Sequence, residues 1–268
     1  MSRPAIDWTH PGLAAWRVPG EAAGLQAGAM PVHQALQAVG GAAAPRFVPQ
    51  AALPAGEPYE AFIARTGGIP TRDNLHDFFN GLAWLAFPQA KRRLNALQAA
   101  EIARCGVGPT RGPLRDALTL FDENGAVLDA PPPLWQALRA RDWRRLFLDL
   151  RGLWAEARVM VFGHALMEKL LAGQKSATAH VLLGPDSDDP SIAPEDAALA
   201  AALDPRRLAA KPFTPLPVAG IPGWHPGNCH AAFYDDAEVF RPHRAATTTP
   251  RPPPVHAAPL EAGRPAPN

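Results

Sequence analysis

Between Asp73 and Trp84 the chain gathers Asp73, His76, Asp77, Asn80 and Trp84, a set of carboxylates, imidazole, amide and indole in which lysine and glutamate are missing. Asp73 and Asp77 are four apart, as are His76 and Asn80, so on a helix these side chains are surface neighbours. An imidazole beside a carboxylate can act as an oriented acid or base, and the same pair can ligate a metal. A second set lies in VFGHALMEKLL, where His164 and Glu168 are also four apart and share a face with apolar residues. A buried unpaired charge is costly, so these two either satisfy each other or meet the first set from a facing helix. His and carboxylates converging from two helices can hold Zn, Fe or Mn in a helical core. His180 would supply a third imidazole if TAHVLL folds back. The structural alternative is that Asp73 caps the helix, His76 and Asn80 bond to loop backbone, Trp84 packs beneath a C-terminal strap and His164 is a satisfied core histidine.

The elements that must position these groups follow from periodicity and punctuation. At about 100° per residue, Leu75, Phe78, Phe79, Leu82, Leu85 and Ala86 form one stripe of a helix over 73–87, with Asp73 as N-cap and Thr71 as the alternative cap. Helical periodicity over 134–171, with a break near Asp142 or Gly152, predicts the opposite wall, so the site is expected between helices 73–87 and 153–171. Further helices are expected over 31–39, 59–64, 91–104 and 194–203, and PRFVPQAALP reads as extended because prolines bound it. In ALTLFDENGAVLDA the Asn124-Gly125 pair between two apolar runs predicts a β-hairpin with strands near 117–121 and 126–129.

These readings give a mainly α fold: a single α-rich globular domain with one small β-hairpin and an irregular Pro/aromatic C-terminal strap over 211–241. Residues 1–58 form an N-terminal arm and an Ala/Gly-rich lead-in, 59–242 the globular domain, and 243–268 a Pro-rich tail expected to be disordered.

Composition narrows the function. Of 268 residues, 47% are hydrophobic and 19% charged, enough for a sizeable core, and the net charge of +1 supplies no global field for a polyanion. Lys91, Arg92, Arg93 and the arginines at 139, 141, 144 and 145 alternate with acids and apolar residues, as solvated helix faces do, which argues against nucleic acid. The chain lacks a signal-peptide core and a bilayer-length apolar run, so a cytoplasmic protein without a membrane partner is expected. Cys105 and Cys229 make no disulfide framework. WHPGNCH carries His225, Cys229 and His230 but lacks a second ligand pair for structural zinc. GVGPTRG lacks the ending of a phosphate loop, and no Gly-x-Ser-x-Gly elbow occurs.

Several segments carry a family resemblance: TRDNLHDFFNGLAWLAFP with KRRLNALQAAE, GPLRDALTLFDENG, VFGHALMEKLL, and FTPLPVAGIPGW with FYDDAEVFRP. Together they resemble a bacterial family known only as a domain of unknown function, family 3025, and they cover most of residues 60 to 242. The resemblance implies membership without a mechanism. From the residues, the first reading is a small α-rich enzyme, metal-dependent or acid-base and hydrolytic. In it, His76 or His164 is general base or metal ligand, Asp77 and Glu168 are ligands or orienters, and Asn80 positions substrate. The alternative is a noncatalytic binding or scaffold protein in which the same groups form a structural network. Cofactor, metal and partner identities are not readable at this level.

Overall fold

A computed structural model describes residues 6–108, 112–186 and 188–242. In chain order its elements are α1 (Arg17–Ala27), α2 (Val32–Gly40), β1 (Arg46–Pro49), α3 (Tyr59–Thr66), β2 (Gly68–Thr71), α4 (Leu75–Ala86), α5 (Pro88–Cys105) and α6 (Pro113–Asn124). There follow β3 (Gly125–Asp129), α7 (Pro132–Ala140), β4 (Arg158–Val161), α8 (His164–Leu171), β5 (Thr178–Leu182), α9 (Asp196–Ala202), α10 (Pro205–Ala209) and β6 (Phe213–Pro217). The fold is mainly α with some β. Four strands form a sheet in the order β4-β3-β5-β6, with β3 and β5 parallel and both outer pairs antiparallel, while β1 and β2 pair in parallel. Helices α4, α5, α6 and α8 pack against one another beside the larger sheet. No described helix is long and apolar enough to cross a membrane.

Helices form where α2, α3, α5 and α9 were expected, the first three with a proline at the start and a glycine at the end. Gly67 closes α3 at φ 67°, a left-handed conformation that glycine adopts without penalty. Near the start of the described chain a 3-10 turn at Pro11–Trp16 packs on the domain, the Trp16 indole donating to Val161 O at 3.0 Å. The Ala/Gly-rich lead-in is more ordered than its composition implies, because α1 occupies part of it.

The expected β-hairpin does not form. Residues 113–124 are the helix α6, and only 125–129 are a strand. The reason is visible in the spacing of Leu114, Ala117, Leu118 and Phe121, which is the i, i+3, i+4, i+7 pattern of a helix and buries the last three. Gly125 is not in a hairpin turn: its φ is −72°, and a Cβ there would meet Phe121 O at 2.3 Å, so glycine lets the chain pass from helix to strand with no connecting loop.

The continuous helical region over 134–171 also fails. The chain runs through α7, a π turn at Arg145–Asp149, a 3-10 turn at Arg151–Glu156 and β4 before α8 begins. Met160 and Val161, inside the expected helical region, lie on β4, where they pair with Val127 and Ala126 of β3. That ladder is a long-range contact, and periodicity within 134–171 carries no trace of it. The strap over 211–241 is partly regular, since its start is β6, and its remainder turns around Phe147, Tyr234 and Phe240 in a stacked aromatic group. The tail over 243–268 lies outside the described residues.

Candidate functional site

α4 starts one residue later than its sequence suggests. Asn74, not Asp73 or Thr71, is the N-cap, its side-chain oxygen accepting from Asp77 N at 2.7 Å. Asp73 instead accepts from Val32 N at 2.7 Å and ties α2 to α4. Phe78, Phe79 and Leu82 face the core as the stripe requires, whereas Ala86 is exposed. The other face is not solvated either. His76, Asp77, Asn80 and Trp84 line a cavity of about 350 Å³ to which α3, α5, α6 and His164 of α8 also contribute.

The acid and the amide of α4 are both engaged. Both Asp77 oxygens are taken by Arg72, through its backbone N at 2.6 Å and its guanidinium at 3.1 and 2.9 Å. Asn80 donates to the Tyr59 hydroxyl at 3.1 Å and accepts from Lys91 Nζ at 2.8 Å. Lys91, grouped above with solvated basic residues, is 3% exposed. Its Nζ is hydrogen-bonded to Asp122 and stands over the Trp84 ring at 5.6 Å.

The imidazoles meet where α8 begins. Gly163 is the residue that allows it, because a Cβ there would lie 2.4 Å from Glu123 O and 2.5 Å from Asn124 N. With that close approach, the first residue of α8, His164, sits against the last turn of α6. His164 Nε2 lies 3.0 Å from His76 Nε2 and 3.4 Å from Glu123 Oε2. The two rings are edge to face with centroids 4.4 Å apart. On its far side, His76 Nδ1 is 2.7 Å from Glu168 Oε1. His76 of α4 thus touches both His164 and Glu168 of α8, with Glu123 of α6 beside them, while Asp77 stays with Arg72.

The tautomers follow from these partners. Facing a carboxylate, His76 Nδ1 carries the proton, so in the neutral ring the Nε2 lone pair points at His164. His164 is 4% exposed, and burial drives its pKa down to about 3, against the pull of Asp122. It is a neutral imidazole at any physiological pH, with its Nδ1 buried and lacking a hydrogen-bond partner. Burial raises Glu123 above the usual carboxylate range, with Asp122 and Glu168 adding repulsion against the attraction of His76 and Lys91. Burial also acts to raise Asp122, but the charge of Lys91 outweighs it and holds that carboxyl low. Tyr59 is pushed above the ordinary phenol range by burial, so it stays a neutral hydroxyl.

His76, His164 and Glu123 each present a ligand atom, and these atoms lie within 4.8 Å of one another. Among the described residues it is the one such convergence of three or more His, Cys, Asp or Glu groups. A family model described as "Protein of unknown function (DUF3025)" matches residues 45–244. The chain belongs to the DUF3025 family. The matched DUF3025 region takes in every residue of the cavity and the imidazole pair. No curated protein and no solved structure matches the chain.

Of the residues singled out by sequence, the fold brings His76, His164 and Glu168 into one chain of contacts. It places Asn80 one turn along α4 from His76, on the same cavity wall, and turns Asp77 toward Arg72. His180 is not a third imidazole here: it lies on β5 with its ring 6.5 Å from that of Phe213. His225 accepts from Gly227 N as the cap of a 3-10 turn. Glu123, Asp122 and Lys91 were missed. The two acids were hidden in the supposed hairpin turn, and the helical spacing of α6 was the signal that would have placed them on the last turn beside His164.

Proposed function

We propose that the cavity is the active site of a divalent-metal-dependent hydrolase, with His76, His164 and Glu123 as metal ligands and Glu168 as the residue that orients His76. The convergence of two Nε2 atoms and a carboxylate oxygen supports this reading most directly. Two imidazoles whose Nε2 atoms face each other at 3.0 Å, beside a carboxylate, bring together three ligand atoms of the kind a divalent cation takes. The His76–Glu168 contact is the carboxylate–histidine arrangement that fixes a ligand's tautomer. Three protein ligands leave coordination positions open toward the cavity, as catalytic sites do and closed structural sites do not. A bound ion there would supply Lewis acidity and a water acidic enough to attack at neutral pH. Lys91, Asn80 and the Tyr59 hydroxyl then offer donors to the polar groups of a substrate.

The test is metal analysis of purified protein, followed by titration of chelator-treated protein with zinc and manganese. The expected result is one ion per chain with micromolar or tighter affinity, lost in His76→Ala and His164→Ala, and metal-dependent turnover in a panel of ester, amide and phosphoester substrates. Absence of saturable binding in the wild type would sink the reading. The competing reading is a noncatalytic scaffold, favoured by Asp77, whose two oxygens are spent on Arg72. It requires that His164→Ala cost several kcal/mol with metal absent, as loss of a buried polar partner does, and that added metal leave the melting temperature unmoved.

A further inference from the structure

The opposite end of α6 carries a second set of unmatched groups. A cleft of about 410 Å³ is bounded by the first turn of α6, by the end of α5 and by the start of α10. The helix has Gly112 as N-cap, with no side chain to accept from the first-turn amides, and Pro113 in its first turn. The first helix bond is Asp116 N to Gly112 O, so the amides of Leu114 and Arg115 lie ahead of it. Arg115 lines the same cleft, is 9% exposed, and its Nε is buried with no hydrogen-bond partner. Across the cleft Arg206 is exposed. Arg104 also lines it, but its guanidinium is held by Glu101 at 3.1 and 2.8 Å.

The cleft lining thus holds three arginines and one glutamate at the positive end of a 12-residue helix, while Asp116 of the first turn lies 3.8 Å from Lys211. Cations at that end oppose the helix dipole, and a buried guanidinium N–H without an acceptor costs free energy. One kind of ligand answers both: a tetrahedral oxyanion accepts from helix amides and from planar guanidiniums together. We propose that this cleft binds a phosphate group, either free or as the phosphate end of a small metabolite, with the Arg115 guanidinium, the Leu114 and Arg115 amides and Arg206 as donors. The cleft is separate from the imidazole pair, and the proposal stands without the hydrolase reading.

The experiment is calorimetric titration of the chelator-treated full chain with inorganic phosphate and, separately, with glucose 6-phosphate, at constant ionic strength. Chelation keeps any metal in the other cavity from contributing. Saturable binding of at least one probe is expected. Arg206→Glu, at an exposed position, should leave the melting temperature unchanged and weaken binding about tenfold or more, the worth of one charge-assisted contact. Arg115→Met should abolish it. Equal affinity for both probes identifies a free oxyanion as the ligand, and binding of the ester alone identifies a phosphorylated metabolite. Failure of both probes to bind, or binding that Arg206→Glu leaves unchanged, overturns the proposal.

Discussion

At its last turn α6 carries Asp122 and Glu123, and at its first turn it carries Arg115, so each end bears charge of the same sign as its own dipole. The first turn also holds Asp116, which has the favourable sign but lies 3.8 Å from Lys211 rather than toward the arginines. The two ends, about 18 Å apart along the axis, solve their problem differently. The acidic end is partly neutralised from within, by Lys91 against Asp122, and Glu123 is bordered by the His164 ring. The basic end has a single glutamate, already engaged by Arg104. The difference teaches that one helix can present two counter-ion sites, one for a cation built around a protein lysine and one for an anion built around bare backbone.

The largest expected effect comes from removing the internal counter-charge. Lys91→Met leaves Asp122 without its partner in the cavity wall and should cost about 3 kcal/mol of stability by urea denaturation. A change within experimental error would mean that the acidic end is solvated and not held by Lys91. Next is the close approach that makes the acidic end a site at all. Gly163→Ala forces α8 away from the Glu123 carbonyl and should destabilise the protein by about 2 kcal/mol while weakening metal binding in the same variant. If stability fell and metal affinity did not, the junction would be structural only. Glu168→Gln keeps a hydrogen-bond acceptor for His76 but removes the charge, and should reduce metal affinity about tenfold with little effect on stability. An unaltered affinity would remove Glu168 from the site.

The smallest effect belongs to His180, which lies just beyond the acidic end, opposite Gly125 in the sheet register. Burial lowers its pKa from the ordinary value of about 6.5, with Lys169 adding to the shift. The unfolded chain therefore takes up this proton at a higher pH than the folded one does. The stability linked to His180 is fully present above its ordinary pKa and is lost as pH falls below that value. His180→Phe should flatten the pH dependence of the melting temperature in that interval and leave metal affinity as in the wild type. A loss of affinity would return His180 to the ligand set.

Helices α2, α3, α5 and α9 were legible because their apolar spacing and end residues act over a few neighbouring residues. The two faces of α4 were equally legible, and its polar face held His76 and Asn80 where the i, i+4 spacing put them. The joint placement of His76 and His164 was readable only as a condition, since a buried histidine and glutamate demand partners but do not name them. Glu123 was lost because Asn124-Gly125 is a strong hairpin signal when read alone, while the helical stripe from Leu114 to Phe121 outweighs it once the packed face is counted. The break in 134–171 was lost because β4 exists through its ladder to β3.

Sequence by itself determined the mainly α character, the polar face of α4, the placing of His164 and Glu168 one turn apart on α8, and the resemblance to the DUF3025 family. Tertiary structure alone decided that Gly163 meets the Glu123 carbonyl, that His164 Nε2 faces His76 Nε2, and that Arg115 is buried beside uncapped amides. The physical reason is range. Propensity, capping and periodicity act within a few turns, whereas a site assembled from α4, α6 and α8 depends on where separate elements are pressed together by the core they share.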